Sequence, residues 1–266
     1  MSETGAATGP DRAGWTTIGV EAGDQSNPVI VRWSTWVPRG RGGQCYDAFA
    51  LRTPVGWVLV DPVDPGPDAI ERLESLIDRE PVATLLTSAW HERAAYRARE
   101  RYGPPVWAPR AGTAELEGRP DHLYDDGELL PGGLRAITVD HGFAGDSVLL
   151  WTAPTGERVL FSGDAILGEL NPRDPRPDHW RRAPGLYLFL HGPGDRQRFQ
   201  DAFRRLLDEE FDLILSAHSV VVRANGTSIS GQTPKSALAR LLDTGRVIER
   251  PMGYGIAVGL AGPAAP

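Results

Sequence analysis

Apolar residues in this chain fall in short runs separated by glycine, proline and acidic residues, and the period of the pattern alternates between that of strands and that of helices. Residues 16–20 and 29–33 read as strands. Residues 45–52 and 56–61 read as a strand pair about a Thr-Pro-Val-Gly turn. Asp68 is placed to cap a helix whose Ile70, Leu73, Leu76 and Ile77 share one face. The run 83–87 is apolar without polar alternation, which predicts a strand buried on both faces. Polar residues follow at once. Ser88 is predicted to cap the next helix, with Glu92 in its first turn and good helix formers from Ala94 to Arg99. Such a strand-to-helix corner lies at the carboxyl edge of a sheet, where layered α/β proteins keep their sites.

Further on, residues 106–108 predict a strand and residues 113–116 a short helix, followed by a turn-rich connector over 125–134. Residues 134–139, 147–152 and 159–162 read as strands, with Pro154-Thr155-Gly156 turning between the last two. After a long Pro- and Arg-rich loop over 168–185, Asp195 opens a helix carrying Phe199, Phe203, Leu206 and Leu207. Residues 212–216 read as a strand. Thr233 and Pro234 suit the cap and first position of a last helix bearing Ala237, Leu238, Leu241 and Leu242. Residues 1–14 read as a flexible polar tail, 15–250 as a single domain and 251–266 as a C-terminal tail.

With 266 residues, 41% of them hydrophobic, the chain can bury one large core. A net charge of −7 and a pI near 5.4 favour solubility and give no reason to expect nucleic acid or an anionic membrane as partner. The first ten residues have neither a basic start nor an apolar core, so no secretory signal is expected. No run has the length of a membrane span, and a cytoplasmic protein is the expectation. Cys45 stands alone, which excludes an internal disulfide and a multi-cysteine zinc site, and reads as a small packing residue. Serine-hydrolase elbows, phosphate-binding loops and dinucleotide fingerprints are absent.

Chemistry concentrates beyond four predicted strands. The segments are Thr87-Ser88-Ala89-Trp90-His91-Glu92-Arg93, Asp140-His141-Gly142, Ser162-Gly163-Asp164 and Ser216-Ala217-His218. Together with the hairpin ending in Asp61, they resemble the metallo-β-lactamase superfamily over roughly residues 44–243. The resemblance implies a four-layer αββα sandwich; pattern alone predicts only a layered α/β protein.

Carried over residue by residue, the resemblance makes His141, Asp164 and His218 candidate metal ligands. It aligns the signature His-x-His-x-Asp-His with residues 88–93, so that Ser88, Trp90 and Arg93 stand where histidines are expected and Glu92 where the aspartate is expected. In this alignment His91 faces outward. Neither a hydroxyl nor an indole replaces an imidazole. That leaves Glu92, His141, Asp164 and His218, enough for at most one ion of zinc, iron or manganese.

Arg93 sits where a ligand belonged and cannot give up its proton, so it is also a surrogate for the ion's charge, able to pair with Asp164 and Glu92. Ser88 and Trp90 become pocket residues. Two functions follow. One is a divergent hydrolase in which metal-activated water attacks an ester, thioester, lactam or related bond, with Asp164 orienting that water or taking its proton. The other is a metal-free pseudoenzyme or binding module in which Arg93 neutralises the site. The loop 168–185, with Asp178, His179 and Trp180, falls where the resemblance implies a substrate-covering element.

Overall fold

The structure is a computed structural model that describes residues 15–39, 42–78, 80–139, 145–168, 186–190, 196–224, 226, 229, 231–244, 246–248 and 256–259. The first half of the chain builds one sheet. An antiparallel meander comprises β1 (Trp15–Gly23), β2 (Pro28–Arg39), β3 (Gly42–Thr53) and β4 (Gly56–Val60). The chain then passes through α1 (Pro67–Ile77) to β5 (Pro81–Leu85), and through α2 (Ala95–Tyr102) to β6 (Val106–Pro109) and β7 (His122–Tyr124). These last strands add in parallel, giving the order β1-β2-β3-β4-β5-β6-β7.

The second sheet contains β8 (Leu129–Leu130), β9 (Leu134–Thr138), β10 (Ser147–Thr152) and β11 (Arg158–Gly163), and is completed by β14 (Leu213–Ser216) and β15 (Val222–Arg223). Its order is β15-β14-β11-β10-β9-β8, with β11 and β14 parallel. A smaller sheet joins β12 (Ile166–Leu167), β13 (Tyr187–Leu190), β17 (Ile256–Gly259) and β16 (Arg246–Ile248) in that order. The segment 251–266, expected as a tail, therefore contributes a strand paired with both β13 and β16.

Three apolar clusters define four layers. Between the two large sheets, Phe49, Leu51, Val58, Val60 and Leu85 meet Leu149, Trp151, Phe161 and Leu215, with Phe49 and Phe161 edge to face at 5.5 Å. On the outer face of the first sheet, Leu73 and Ile77 of α1 and Ala98 of α2 cover Val31, Trp33 and Leu59. Outside the second, Phe203 of α3 (Arg196–Arg204) packs with Leu238, Leu241 and Leu242 of α4 (Pro234–Thr244) against Val148, Leu160 and Ile214. Each such side chain contributes roughly 1.5–3 kcal/mol by leaving water. The αββα sandwich is thus the observed architecture.

Local chemistry sets the helix starts. Thr233 accepts from the Ser236 N–H at 3.1 Å, the cap the sequence predicts for α4. In α1, by contrast, Pro67 takes the first position after Gly66, and Asp68 lies inside the first turn, where the helix dipole favours it. The corner after β5 departs further from expectation. Ser88 caps only a 3-10 turn, Ala89–His91, and the chain then breaks at Arg93 (φ 28) before α2 begins at Ala95. The Ala94 N–H donates across to the Pro62 carbonyl at 3.1 Å, holding this break against the end of β4.

Candidate active site

Four strand ends meet at one edge of the sandwich: Asp61 after β4, residues 87–93 after β5, Asp164 after β11 and His218 after β14. The long strand β3 brings Gln44, Cys45, Tyr46 and Asp47 to the same edge. Backbone bonds stitch the sheets together here. Ser147 N–H donates to Thr87 O at 2.8 Å, Asp47 N–H to Ala217 O at 2.7 Å and Ala217 N–H to Gly163 O at 2.9 Å.

His91 is the correction of most consequence. Rather than facing outward, it is 1% exposed, and its Nδ1 lies 2.8 Å from Asp61 Oδ2. The 3-10 turn explains this, because residues three apart eclipse one another there: Ser88 and His91 both turn inward while Trp90 between them is 37% exposed. Asp61 also accepts from the Thr87 N–H (2.8 Å) and the Thr87 hydroxyl (2.6 Å). With its Nδ1–H committed to a carboxylate, His91 presents Nε2 to Asp164, 3.4 Å from Oδ1.

His218 approaches the same oxygen from the other sheet. Its Nδ1–H donates to the Cys45 carbonyl at 2.6 Å, and Nε2 lies 3.1 Å from Asp164 Oδ1. The Gln44 amide nitrogen is near both ring nitrogens, at 3.4 and 3.1 Å, so it sits over the ring rather than along the Nε2 lone pair. The Tyr46 ring packs on the imidazole at 5.1 Å. Behind this face, buried Asp47 pairs with Arg32 at 3.0 Å, and Arg32 donates to the Ser219 carbonyl, tying the His218 loop to β2. Cys45 is fully buried, as its packing role requires, and its carbonyl selects the His218 tautomer.

Charge follows from these contacts. Burial and nearby Arg93 press the His91 proton affinity down, but Asp61 and Asp164 outweigh them and raise its pKa to about 9. Burial would raise Asp164, yet the two imidazoles hold it well below the ordinary carboxylate range. Asp61 is likewise lowered, since His91, Arg93 and Thr87 overcome its burial. Asp47 moves the other way: burial raises it more than Arg32 and Ser34 lower it.

The remaining expected site residues separate into those near this cluster and those turned from it. Glu92 is turned away. Its two oxygens accept from the backbone N–H groups of Glu117 (2.6 Å) and Gly118 (2.8 Å), so it is not placed as a ligand. Ser88 is buried and spends its hydroxyl on the Trp90 N–H at 3.3 Å. Arg93 makes no ion pair with Asp164 or Glu92 among the described residues; its guanidinium lies over Tyr46, Cζ 4.5 Å from the ring centre. Its Nη1 is buried with no hydrogen-bond partner, which costs about 1–3 kcal/mol or more for a charged group. His141 and residues 169–185 lie outside the described residues. Sequence reasoning missed His91, Gln44 and Tyr46; the i, i+3 spacing of Ser88 and His91 was the one local signal for the first.

A metal can be tested against this donor set. His91 Nε2 and Asp164 Oδ1 are both buried without a hydrogen bond, although 3.4 Å apart, so the ring N–H direction misses the oxygen and no proton bridges them well. Two imidazoles and a carboxylate are suitable donors for one zinc-like ion, and donor atoms around such an ion stand roughly 3.3 Å apart. Among the described residues no three side chains already close into a cage. The donors suit one ion in kind, and the two distances to Asp164 Oδ1, 3.4 and 3.1 Å, suit it in spacing; among the described residues nothing gathers donors for a second.

An αββα sandwich with carboxylate and imidazole side chains gathered at one sheet edge defines the class. Residues 82–218 match the family model for the metallo-beta-lactamase superfamily, and the chain belongs to that superfamily. Solved structures agree on the fold. A metallo-beta-lactamase from Pontibacter korlensis is 15% identical with a TM-score of 0.55, covering 85% of this chain and 97% of its own. A metallo-beta-lactamase family protein from Thermus thermophilus is 15% identical with a TM-score of 0.52, covering 80% and 78%. DIM-1 metallo-beta-lactamase is 12% identical with a TM-score of 0.54, covering 86% and 98%. No curated protein matches the chain. Proteins of this superfamily are generally hydrolases.

Proposed function

We propose that this protein is a hydrolase that cleaves an ester, thioester, lactam or related bond with at most one metal ion, zinc, iron or manganese, held by His91, Asp164 and His218. The observation that carries this reading is the approach of two imidazole Nε2 atoms to one carboxylate oxygen, at 3.4 and 3.1 Å, with the far nitrogen of each ring already committed. Such an ion, when bound, supplies a water of lowered pKa. The chain's own residues do the rest. Asp61 and the Cys45 carbonyl fix the two tautomers. Asp164, whose carboxyl the two imidazoles hold well below the ordinary carboxylate range, orients the attacking water. A small-molecule substrate and a cytoplasmic setting belong to the same reading; the lone buried Cys45, with no disulfide possible within the chain, is compatible with the second. Among the described residues, no helix is long and apolar enough to cross a membrane.

The second reading is a metal-free binding module, favoured by the unclosed cage and by the cation at Arg93. The absence of an Arg93–Asp164 pair among the described residues counts against the surrogate role it requires. Metal analysis by mass spectrometry separates the two. Near-stoichiometric metal in the wild type that is lost in an Asp164→Ala, His218→Ala double variant supports the hydrolase, as does a folded Asp164→Asn variant without turnover. No metal after incubation with excess zinc, iron or manganese, together with no hydrolysis of ester, thioester or lactam probes, overturns it.

A further inference from the structure

Resting on the hydrolase reading above, we infer that Arg93 is the anchor for a free carboxylate on the substrate, so that the substrates are acids carrying a second, scissile acyl bond. Among the described residues no carboxylate pairs with it, and those nearest the cluster face other groups. Glu92 caps residues 117 and 118, Asp61 holds Thr87 and His91, and Asp164 lies between two imidazoles. Asp47, another buried acid at this edge, pairs with Arg32. Among the described residues, Arg93 is the one arginine or lysine that keeps a buried side-chain nitrogen, Nη1, without a hydrogen-bond partner.

Its position is built rather than incidental. The backbone at Arg93 has φ 28, a conformation rare for a side-chain-bearing residue and common where function stores strain. The guanidinium lies over the same Tyr46 ring that packs on His218, one aromatic ring from the candidate catalytic cluster. With one face covered by a phenol, a guanidinium offers its edge, and that fork matches a planar carboxylate. A single cation with no second free one beside it among the described residues suits a monoanion better than a phosphate dianion.

The test compares a 4-nitrophenyl monoester of succinic acid, which keeps a free carboxylate, with 4-nitrophenyl butyrate, which carries a methyl group there. The ratio of kcat/KM for the acidic over the neutral ester is expected to fall roughly 10- to 100-fold in Arg93→Gln, the range for losing a charge-assisted hydrogen bond. Arg93→Lys, which retains a point charge, should lose part of it. Arg97→Gln removes an exposed charge on α2 that pairs with Asp64 and should leave the ratio in place. An unchanged ratio in a folded Arg93→Gln protein overturns the inference.

Calorimetric binding of succinate decides independently of turnover. Binding by the wild type and by Asp164→Asn, weakened in Arg93→Gln, supports the anchor even if no ester is hydrolysed. Equal binding by Arg93→Gln, no binding by the wild type, or tighter binding of inorganic phosphate overturns it.

Discussion

His91 Nδ1 lies 2.8 Å from Asp61 Oδ2, although the two residues close adjacent parallel strands thirty positions apart. The Thr87 hydroxyl reaches both, donating to Asp61 at 2.6 Å and lying 3.0 Å from His91 Nδ1. One buried carboxylate thus fixes the end of β5, the turn after it and the imidazole that faces Asp164.

Replacing Asp61 with Ala leaves the Thr87 N–H, the Thr87 hydroxyl and His91 Nδ1 without their acceptor in a buried setting. A loss of about 3–5 kcal/mol is expected, the range for breaking one side of a buried charge pair. Urea unfolding measures it. A change below about 1 kcal/mol would mean that the three donors find other partners.

The same pair makes the metal-free protein pH-sensitive. His91 is raised from 6.5 to about 9, so its contribution is complete below 6.5 and is lost as pH rises through about 9. Asp61 is lowered from 3.8, so its contribution is present above 3.8 and fails only at lower pH. In EDTA-treated protein, the gap in urea midpoint between wild type and Asp61→Asn should therefore narrow from pH 7 to pH 10. A gap that stays constant over that range would show that His91 carries no proton there. With a metal on Nε2 the imidazole is neutral throughout, and the narrowing should vanish.

Gly163 precedes Asp164 with φ 52, and a methyl group there would meet Thr87 Oγ1 at 2.2 Å and His91 Cε1 at 3.2 Å. Gly163→Ala combines an unfavourable backbone with a clash against the residues that hold the site. A destabilisation of about 1–3 kcal/mol is expected, together with weaker metal retention. Thermal unfolding and metal analysis on one preparation check both, and wild-type behaviour in each would show that the Thr87 side chain can move aside freely.

Much of this was legible in the chain. The buried run at β5, the β10 strand at 147–152 and the Thr233 cap of α4 come from local pattern, and local pattern is what those elements obey. The four strand ends that bear the site were legible for the same reason. The orientation of residues 88–93 was not. A helical reading of that stretch turns His91 outward, whereas tertiary contacts, the Asp61 carboxylate and the Pro62 carbonyl, impose a 3-10 turn and a break at Arg93. Strands of two residues, such as β8, β12 and β15, are too short to show a period. The terminal strand β17 exists only through its pairing with β13 and β16.

Glu92 separates the alignment from the geometry most directly. Position in the motif makes it a ligand; its carboxylate instead receives the Glu117 and Gly118 N–H groups, and Gly118 is held so close to Tyr96 that a Cβ would stand 2.1 Å from the ring. Glu92→Gln keeps one acceptor oxygen and sets an amide NH2 against the other backbone N–H, a loss of about 1–3 kcal/mol in stability. Metal content and turnover should match wild type, because the carboxylate faces the 117–118 loop and not Asp164. A fall in bound metal in this variant, with the fold intact, would return Glu92 to the ligand set and would require the turn at residues 89–93 to rearrange when the ion binds.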